Sequence, residues 1–302
     1  MTAILSFDVG ATHLRSAWVA QDGGLSGMRD TSTPRGDAQT LIDCLISESQ
    51  AQIDAVGMPD SVGLAIAGFT DIPAGMLHHS PCMSVAQAEL VPPLRDLFEA
   101  PVRFVNDVNA AALGESRAAP CDHLIAIFVG TGIGTGFVDH GRLMEGAHGM
   151  AGEGGHLVYI PGGLTCSAGH VGCYSGYLGG EALARRAQEA GLNVDTAGLV
   201  AAGRSGDPRA TAILDEACEA MAALSRHLIT LFDPELIVIG GGVCEGWDGL
   251  FEATQKASER HPLAPDMGGV AVARSKLGQG AGLVGAGILA REALEDKGGE
   301  SS

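Results

Sequence analysis

The segment Val105-Asn106-Asp107-Val108-Asn109 closes an apolar strand pattern and opens a helical one. A carboxylate at the C-terminal end of a strand is well placed to take a proton from a hydroxyl. Phosphoryl transfer needs such a group together with in-line positioning. Asn106, next to Asp107, can both donate to and accept from hydroxyls. Asp107 could equally cap the helix that follows, a contribution of about 1 kcal/mol, and spacing alone leaves both readings open. Asp8 ends the apolar run AILSFDV beside the turn Gly10-Ala11-Thr12. An acid there can hold Mg²⁺ through water next to phosphates, or cap the turn. The Thr12 hydroxyl suits a phosphate oxygen, or Thr12 is an ordinary turn residue.

Three apolar strand patterns run into glycine: DVGAT (8–12), GTGIGTG (130–136) and GGGV (240–243). Glycine lets the backbone turn tightly and aim successive N–H groups at an anion. Three such units in one chain point to a cradle for nucleotide phosphates. Two other kinds of phosphate-binding loop fail on pattern: there is no G-x-x-x-x-G-K-[ST], and no G-x-G-x-x-G opens a helix near the N-terminus.

Positioning these residues calls for strands alternating with helices, hence an α/β fold. Strand patterns fall at 3–9, 61–68, 101–109, 124–137 and 234–243, with LRSAWVAQDGG returning as a hairpin. Helical periodicity covers 38–56, the stretch from NAAALGES, 179–202, 210–231 and the final GQGAGLVGAGILAREALE; the tail EDKGGESS is expected to fray. Laid at an offset of 122, residues 126–134 match 4–12 in type, with Gly10 on Gly132, which hints at two related halves.

The 302 residues suffice for two domains. Lys and Arg number 18 against 36 Asp and Glu, a net charge of −18, which disfavours nucleic acid and anionic lipid as partners. With no membrane-length apolar run and no basic leader, the seven cysteines read as reduced thiols of a cytoplasmic protein.

Together D-V-G-A-T-H, V-N-D-V-N-A-A-A-L-G-E, G-T-G-I-G-T-G-F, G-A-H-G-M-A-G-E-G-G-H and D-P-E-L-I-V-I-G-G-G-V resemble the ROK family (repressor, open reading frame, kinase) of the actin-like ATPase superfamily, over about residues 3–290. The first and fourth look particularly like its D-allose kinases. The resemblance implies a duplicated, ribonuclease H-like two-lobe fold with ATP and sugar in the interlobe cleft. The lobes would be 1–110, with a C-terminal helix at about 281–296 returning to it, and 111–280, carrying a zinc loop at 153–176. It implies an ATP-dependent sugar kinase acting on the 6-hydroxyl of a hexose, with Asp107 as base. Asn106, Glu153, His156, Gly68 and Ser175 would lie at the sugar. Gly10, Ala11, Thr12, Gly130, Thr131, Gly132 and Gly134 would cradle ATP phosphates, Asp8 would face Mg²⁺, and Gly240, Gly241 and Gly242 would lie near the adenosine. A homodimer is expected on the same ground.

Members of the family carry E-x-G-H and then C-x-C-G-x-x-G-C-x-E, whose His and three Cys bind one zinc and whose last Glu touches sugar. Here the second motif reads from Cys166 to Ser175 with Ala168 at the middle Cys and Ser175 at the Glu. Zinc takes four N or S ligands; His156, Cys166 and Cys173 supply three and His170 a fourth, unless the loop folds without metal. Cys82 stands where the family often has a sugar-contacting Asn. These losses imply weak glucose use and preference for another hexose or an amino-sugar derivative, D-allose first. His78, His79, His123, His140, His227 and His261 show no ligand spacing and read as structural or exposed; His13 and His148 have no assigned role. A catalytically silent sugar binder is the alternative. A sugar-sensing repressor is disfavoured because no helix-turn-helix segment precedes Asp8 and the net charge of −18 opposes DNA.

Overall fold

The computed structural model describes residues 2–299; Met1 and the last three residues of the tail expected to fray lie outside the described residues. The chain runs β1 (Ile4–Val9), β2 (His13–Val19), β3 (Leu25–Ser32), α1 (Ala38–Val56), β4 (Ser61–Ile66), β5 (Phe69–Asp71), β6 (Met76–Ser80), β7 (Val85–Glu89), α2 (Val91–Phe98), β8 (Val102–Asn106) and α3 (Asp107–Ala118). It continues β9 (Leu124–Val129), β10 (Ile133–Asp139), β11 (Arg142–Leu143), α4 (Ser175–Leu178), α5 (Gly180–Glu189), α6 (Thr196–Arg204), α7 (Pro208–Phe232), β12 (Leu236–Gly240), α8 (Gly242–Gly246), α9 (Gly249–Ser258), β13 (Ala271–Arg274) and α10 (Ala281–Gly299). Two compact units divide it: Met1–Pro120 with Arg142–Ala151 and Gln279–Ser302, and Cys121–Gly141 with Gly152–Gly278.

In the first unit a five-stranded sheet runs β3-β2-β1-β4-β8. β1 pairs antiparallel with β2 and parallel with β4, which pairs parallel with β8. One face packs Leu5, Phe7, Leu64 and Ile66 against Leu41, Leu45 and Leu94 of α1 and α2. The other packs Ala65 and Val105 against Ala110, Leu113, Ala286 and Leu289 of α3 and α10. Residues 69–89, unassigned by periodicity, form a three-stranded sheet in the order β5-β6-β7.

In the second unit β9 pairs antiparallel with β10 and parallel with β12, which pairs parallel with β13. The predicted stripe of α7, Ile213, Leu214, Ala217, Met221, Leu224 and Leu228, is buried in one core with Ile125, Ile127, Ile237 and Ile239 of the sheet. A fully buried side chain of this size contributes about 1.5–3 kcal/mol. The helical run 179–202 is broken between α5 and α6, where Asp195 caps α6 by accepting from the Gly198 N–H at 2.8 Å.

The two hairpins correct the internal match. Val9 pairs with Leu14 and Val129 with Ile133, so the second turn is one residue shorter. The strand ends therefore align at an offset of 120, with Gly10 on Gly130 rather than on Gly132.

Candidate active site

The strand that supplies Asp107 stops one residue earlier, at Asn106, and the helix begins on Asp107 itself. Asn106 is the N-cap: its Oδ1 accepts from the N–H groups of Val108 at 2.9 Å and Asn109 at 3.1 Å. Its amide nitrogen donates to the Gly68 carbonyl at 3.2 Å, leaving one amide hydrogen for another partner. The side-chain cap is Asn106, and the Asp107 carboxylate lies in the first turn of α3, close to its own N–H and that of Val108.

Burial raises the Asp107 carboxyl to about 6, against the lowering effect of the Val108 and Asp107 N–H groups. Asp8 is raised further, to about 7, by burial first and the Asp107 charge second, opposed by Arg15. The two acids therefore share one electrostatic environment within the first unit. Arg15 is itself held by Asp30, its Nε donating to Oδ2 at 2.9 Å. The first turn of α10 closes on Asp8: a Cβ on Gly282 would stand 2.8 Å from the carboxylate, so no side chain fits there. Gly282 lies against the candidate residue Asp8 and had no role in the sequence reading, although it stands in the run GQGAGLVG.

The turn after β1 is closed by the Gly10 N–H donating to the His13 carbonyl at 2.9 Å. It is tied to Thr33, whose hydroxyl donates to the Gly10 carbonyl at 2.9 Å and whose N–H donates to the Thr12 carbonyl at 3.0 Å.

The turn after β9 is built differently. Helix α5 has no side-chain cap. Its first N–H groups, from Gly180 and Glu181, donate to the carbonyls of Gly130 at 2.9 Å and Thr131 at 3.0 Å. A trans peptide points its N–H opposite to its carbonyl, so the N–H groups of Thr131 and Gly132 face away from α5. A Cβ at Gly130 or Gly132 would meet nothing within 4 Å. Successive N–H groups aimed away from the packed side of a turn are a feature that anion-binding turns use. Gly134 lies inside β10, opposite Phe128, and not in the turn. Gly240 ends β12, Gly241 takes φ 91°, and Gly242 opens α8.

Glu153 precedes a single 3₁₀ turn, Gly154–His156. Thr135 of β10 anchors this segment: its hydroxyl donates to the Gly152 carbonyl and accepts from the Gly154 N–H at 3.0 Å. Sequence reading gave Thr135 no role. Gly154 and Gly155 press on β10, where added Cβ atoms would meet the Thr135 hydroxyl at 2.6 Å and the Ile133 carbonyl at 2.4 Å. Ser175 is 6% exposed at the start of α4.

The zinc-loop residues come together. One ligand atom from each of His156, Cys166 and Cys173 lies within 4.8 Å of the others, and both cysteines are buried. The His170 Nδ1 stands 2.9 Å from the His156 Nδ1. His156, Cys166 and Cys173 thus offer three of the four ligands that zinc takes, while His170, whose ring nitrogen faces that of His156, is not part of the three-residue group. All seven cysteines of the chain are free thiols. Among the described residues no helix is long and apolar enough to cross a membrane.

The model of the ROK family matches residues 4–293. A glucokinase of Streptomyces coelicolor is 30% identical over 97% of this chain and 98% of its own length. An N-acetylmannosamine kinase of Citrobacter koseri is 31% identical over 95% of this chain and 98% of its own. Among solved structures, a ROK family glucokinase from Streptomyces griseus, in complex with glucose and AMPPNP, superposes with a TM-score of 0.82 at 28% identity, covering 96% of this chain and 99% of that one. The fold is thus that of the actin-like two-domain sugar kinases. The chain belongs to the ROK family.

Proposed function

We propose that this chain, an ATP-dependent sugar kinase, transfers the γ-phosphoryl group of Mg-ATP to the 6-hydroxyl of a hexose or hexosamine derivative, with Asp107 as general base. Kinases of both sugar types among its relatives support the class. The observation that carries the base assignment is the division of labour at the end of β8. Asn106 satisfies the helix N-terminus, and Asp107 keeps a carboxyl raised to about 6. Such a group is ionised at neutral pH yet more basic than a solvated carboxylate, which suits proton removal from an alcohol. As the sugar oxygen bonds to the γ-phosphorus, its proton passes to Asp107 and ADP leaves with the bridging electron pair.

In this reading the outward N–H groups of Thr131 and Gly132 bind phosphate oxygens, as does the turn at Gly10, Ala11 and Thr12, and Gly240 to Gly242 lie near the adenosine. Asp8 faces the magnesium of Mg-ATP; a carboxyl raised to about 7 by burial and a neighbouring charge is one that a divalent cation would return to its ionised form. Asn106 and Gly68 in the first unit, and Glu153, His156 and Ser175 in the second, are the proposed sugar contacts of each unit. The neutral Ser175 lacks the charge-assisted hydrogen bond of a Glu, worth about 1.5–3 kcal/mol, so a hexose other than glucose or an amino-sugar derivative is the better substrate. His156, Cys166, His170 and Cys173 hold one structural zinc, which when bound cross-links the loop that carries Ser175. Protein purified without added zinc should contain one zinc per chain by metal analysis, and a folded, metal-free protein would overturn the ligand set.

The test of the reaction is a turnover screen across hexoses and N-acylated hexosamines with wild type and Asp107→Asn. The variant should bind its best sugar as wild type does and lose at least ~100-fold in kcat. Unchanged turnover would overturn the base assignment. Glucose giving the highest kcat/KM of all sugars would overturn the argument from Ser175.

A further inference from the structure

We propose that His123, Asp139 and His140 form a surface site for a divalent transition-metal ion of the zinc class, separate from the Cys166–Cys173 loop. In sequence these residues show no ligand spacing. The β9–β10 register creates the group: Val138 pairs with Leu124, so Asp139 and His123 are the next neighbours across the hairpin. His140 follows in the tight turn, with φ 49° and Gly141 at φ 70°.

The His123 Nδ1 stands 2.7 Å from the Asp139 Oδ1. The His123 and His140 rings meet edge to face with centroids 4.7 Å apart. One ligand atom from each of the three residues lies within 4.8 Å of the others. In a tetrahedral site with bonds of about 2.0–2.1 Å, ligand atoms stand about 3.3–3.5 Å apart. The His123–Asp139 separation is shorter than that spacing and the others lie within 4.8 Å, so a bound ion would need the side chains to rotate and His123 and Asp139 to part. All three residues are at least partly exposed, so the rotations meet no core packing and exchange the His123–Asp139 hydrogen bond for bonds to the ion.

The backbone beneath them is fixed. The Gly141 N–H donates to the Asp122 carbonyl, and the Glu235 N–H to the His123 carbonyl, each at 2.9 Å. Two imidazoles and one carboxylate select zinc, nickel or copper over magnesium or calcium, with water completing the coordination. The net charge of −18 favours a cation, and the Glu235 carboxylate lies beside this same segment, accepting from the Asp122 N–H at 3.2 Å. A bound ion would tie the entry of β9 to the exit of β10.

The turn supplies a conservative probe. Asparagine tolerates positive φ, so His140→Asn removes a ligand and keeps the backbone; His123→Gln keeps a hydrogen bond to Asp139. Untagged protein carrying Cys166→Ser and Cys173→Ser, so that the loop cannot compete, is titrated with zinc chloride alone by calorimetry. One ion per chain should bind, at least ~10-fold more weakly after His140→Asn and after His123→Gln, by analogy with losses from even outer-shell changes. The wild-type chain, metal-loaded in its loop, should gain Tm with further zinc and lose that gain in the same two single variants. No uptake in the Cys166→Ser, Cys173→Ser protein, or uptake left unchanged by both histidine substitutions, would overturn the site.

Discussion

The two units carry the same four-strand arrangement and place different groups at its strand ends. β2-β1-β4-β8 and β10-β9-β12-β13 each join one antiparallel hairpin to two parallel steps. At the shared offset of 120, Asp8 in the first unit corresponds to Phe128 in the second, and Gly10 to Gly130. The first unit concentrates charge: burial raises both Asp8 and Asp107, and the Asp107 charge raises Asp8 further, with Arg15 opposing. The second leaves a turn of bare backbone, its carbonyls taken by α5 and its glycines facing open space. The same topology can present either a carboxylate or an N–H cradle at its strand ends. The choice is made by one strand residue and by what packs against the turn.

The sharpest way to break this comparison is to add one methyl group on each side. Gly282→Ala forces a Cβ against the Asp8 carboxylate and should destabilise the protein by about 1–3 kcal/mol, as overpacking does. Gly130→Ala enters open space and should leave stability within about 0.5 kcal/mol while raising the KM for ATP. Denaturant unfolding and ATP titration of the two variants measure both. Equal stability losses would mean that the turns are not built on opposite principles.

A smaller effect should appear with pH. Asp107 works as a base only when ionised, so log kcat/KM should fall with unit slope below about pH 6. Stability runs the other way. Asp8 and Asp107 are raised from a common 3.8 to about 7 and 6, so the native state holds more protons than the unfolded state between those values. Their contribution is therefore full below about pH 4 and is lost as pH rises through about 7. Asp8→Asn should flatten that slope and raise Tm at pH 8. A kcat/KM profile flat down to pH 4.5 would remove Asp107 from the role.

The smallest expected change tests the cap. Asn106→Ala should cost about 1 kcal/mol of stability, and Asn106→Ser, whose hydroxyl oxygen can still accept from the helix N–H groups without setting a charge against the Gly68 carbonyl, should recover part of it. Thermal unfolding of the pair separates capping from any contact with sugar, which would appear in KM.

The strands and helices with strong periodicity were legible before folding was considered. The returning run LRSAWVAQDGG, which supplies most of β2, and the stripe of α7 are examples, because a period of two or 3.6 follows from backbone geometry alone. The small sheet of β5, β6 and β7 was not legible, since its strands of 3, 5 and 5 residues are too short to show a period. The site divides in the same way. Asp107, Asp8 and the glycine turns stood out by residue type at strand ends. Thr135 and Gly282 did not, because their parts depend on a hydroxyl and an empty space meeting partners far along the chain.

What the sequence determined by itself was the inventory: acids where strands end, glycines where phosphates could sit, and the pattern that places the chain in its family. Tertiary structure alone decided which of two adjacent polar residues is the N-cap of α3, because both types can cap and only the backbone path at the strand end selects one. It also decided that Gly10 aligns with Gly130, through hairpin register, and that His123 and His140 meet. Register is a property of paired strands, and no single strand carries it.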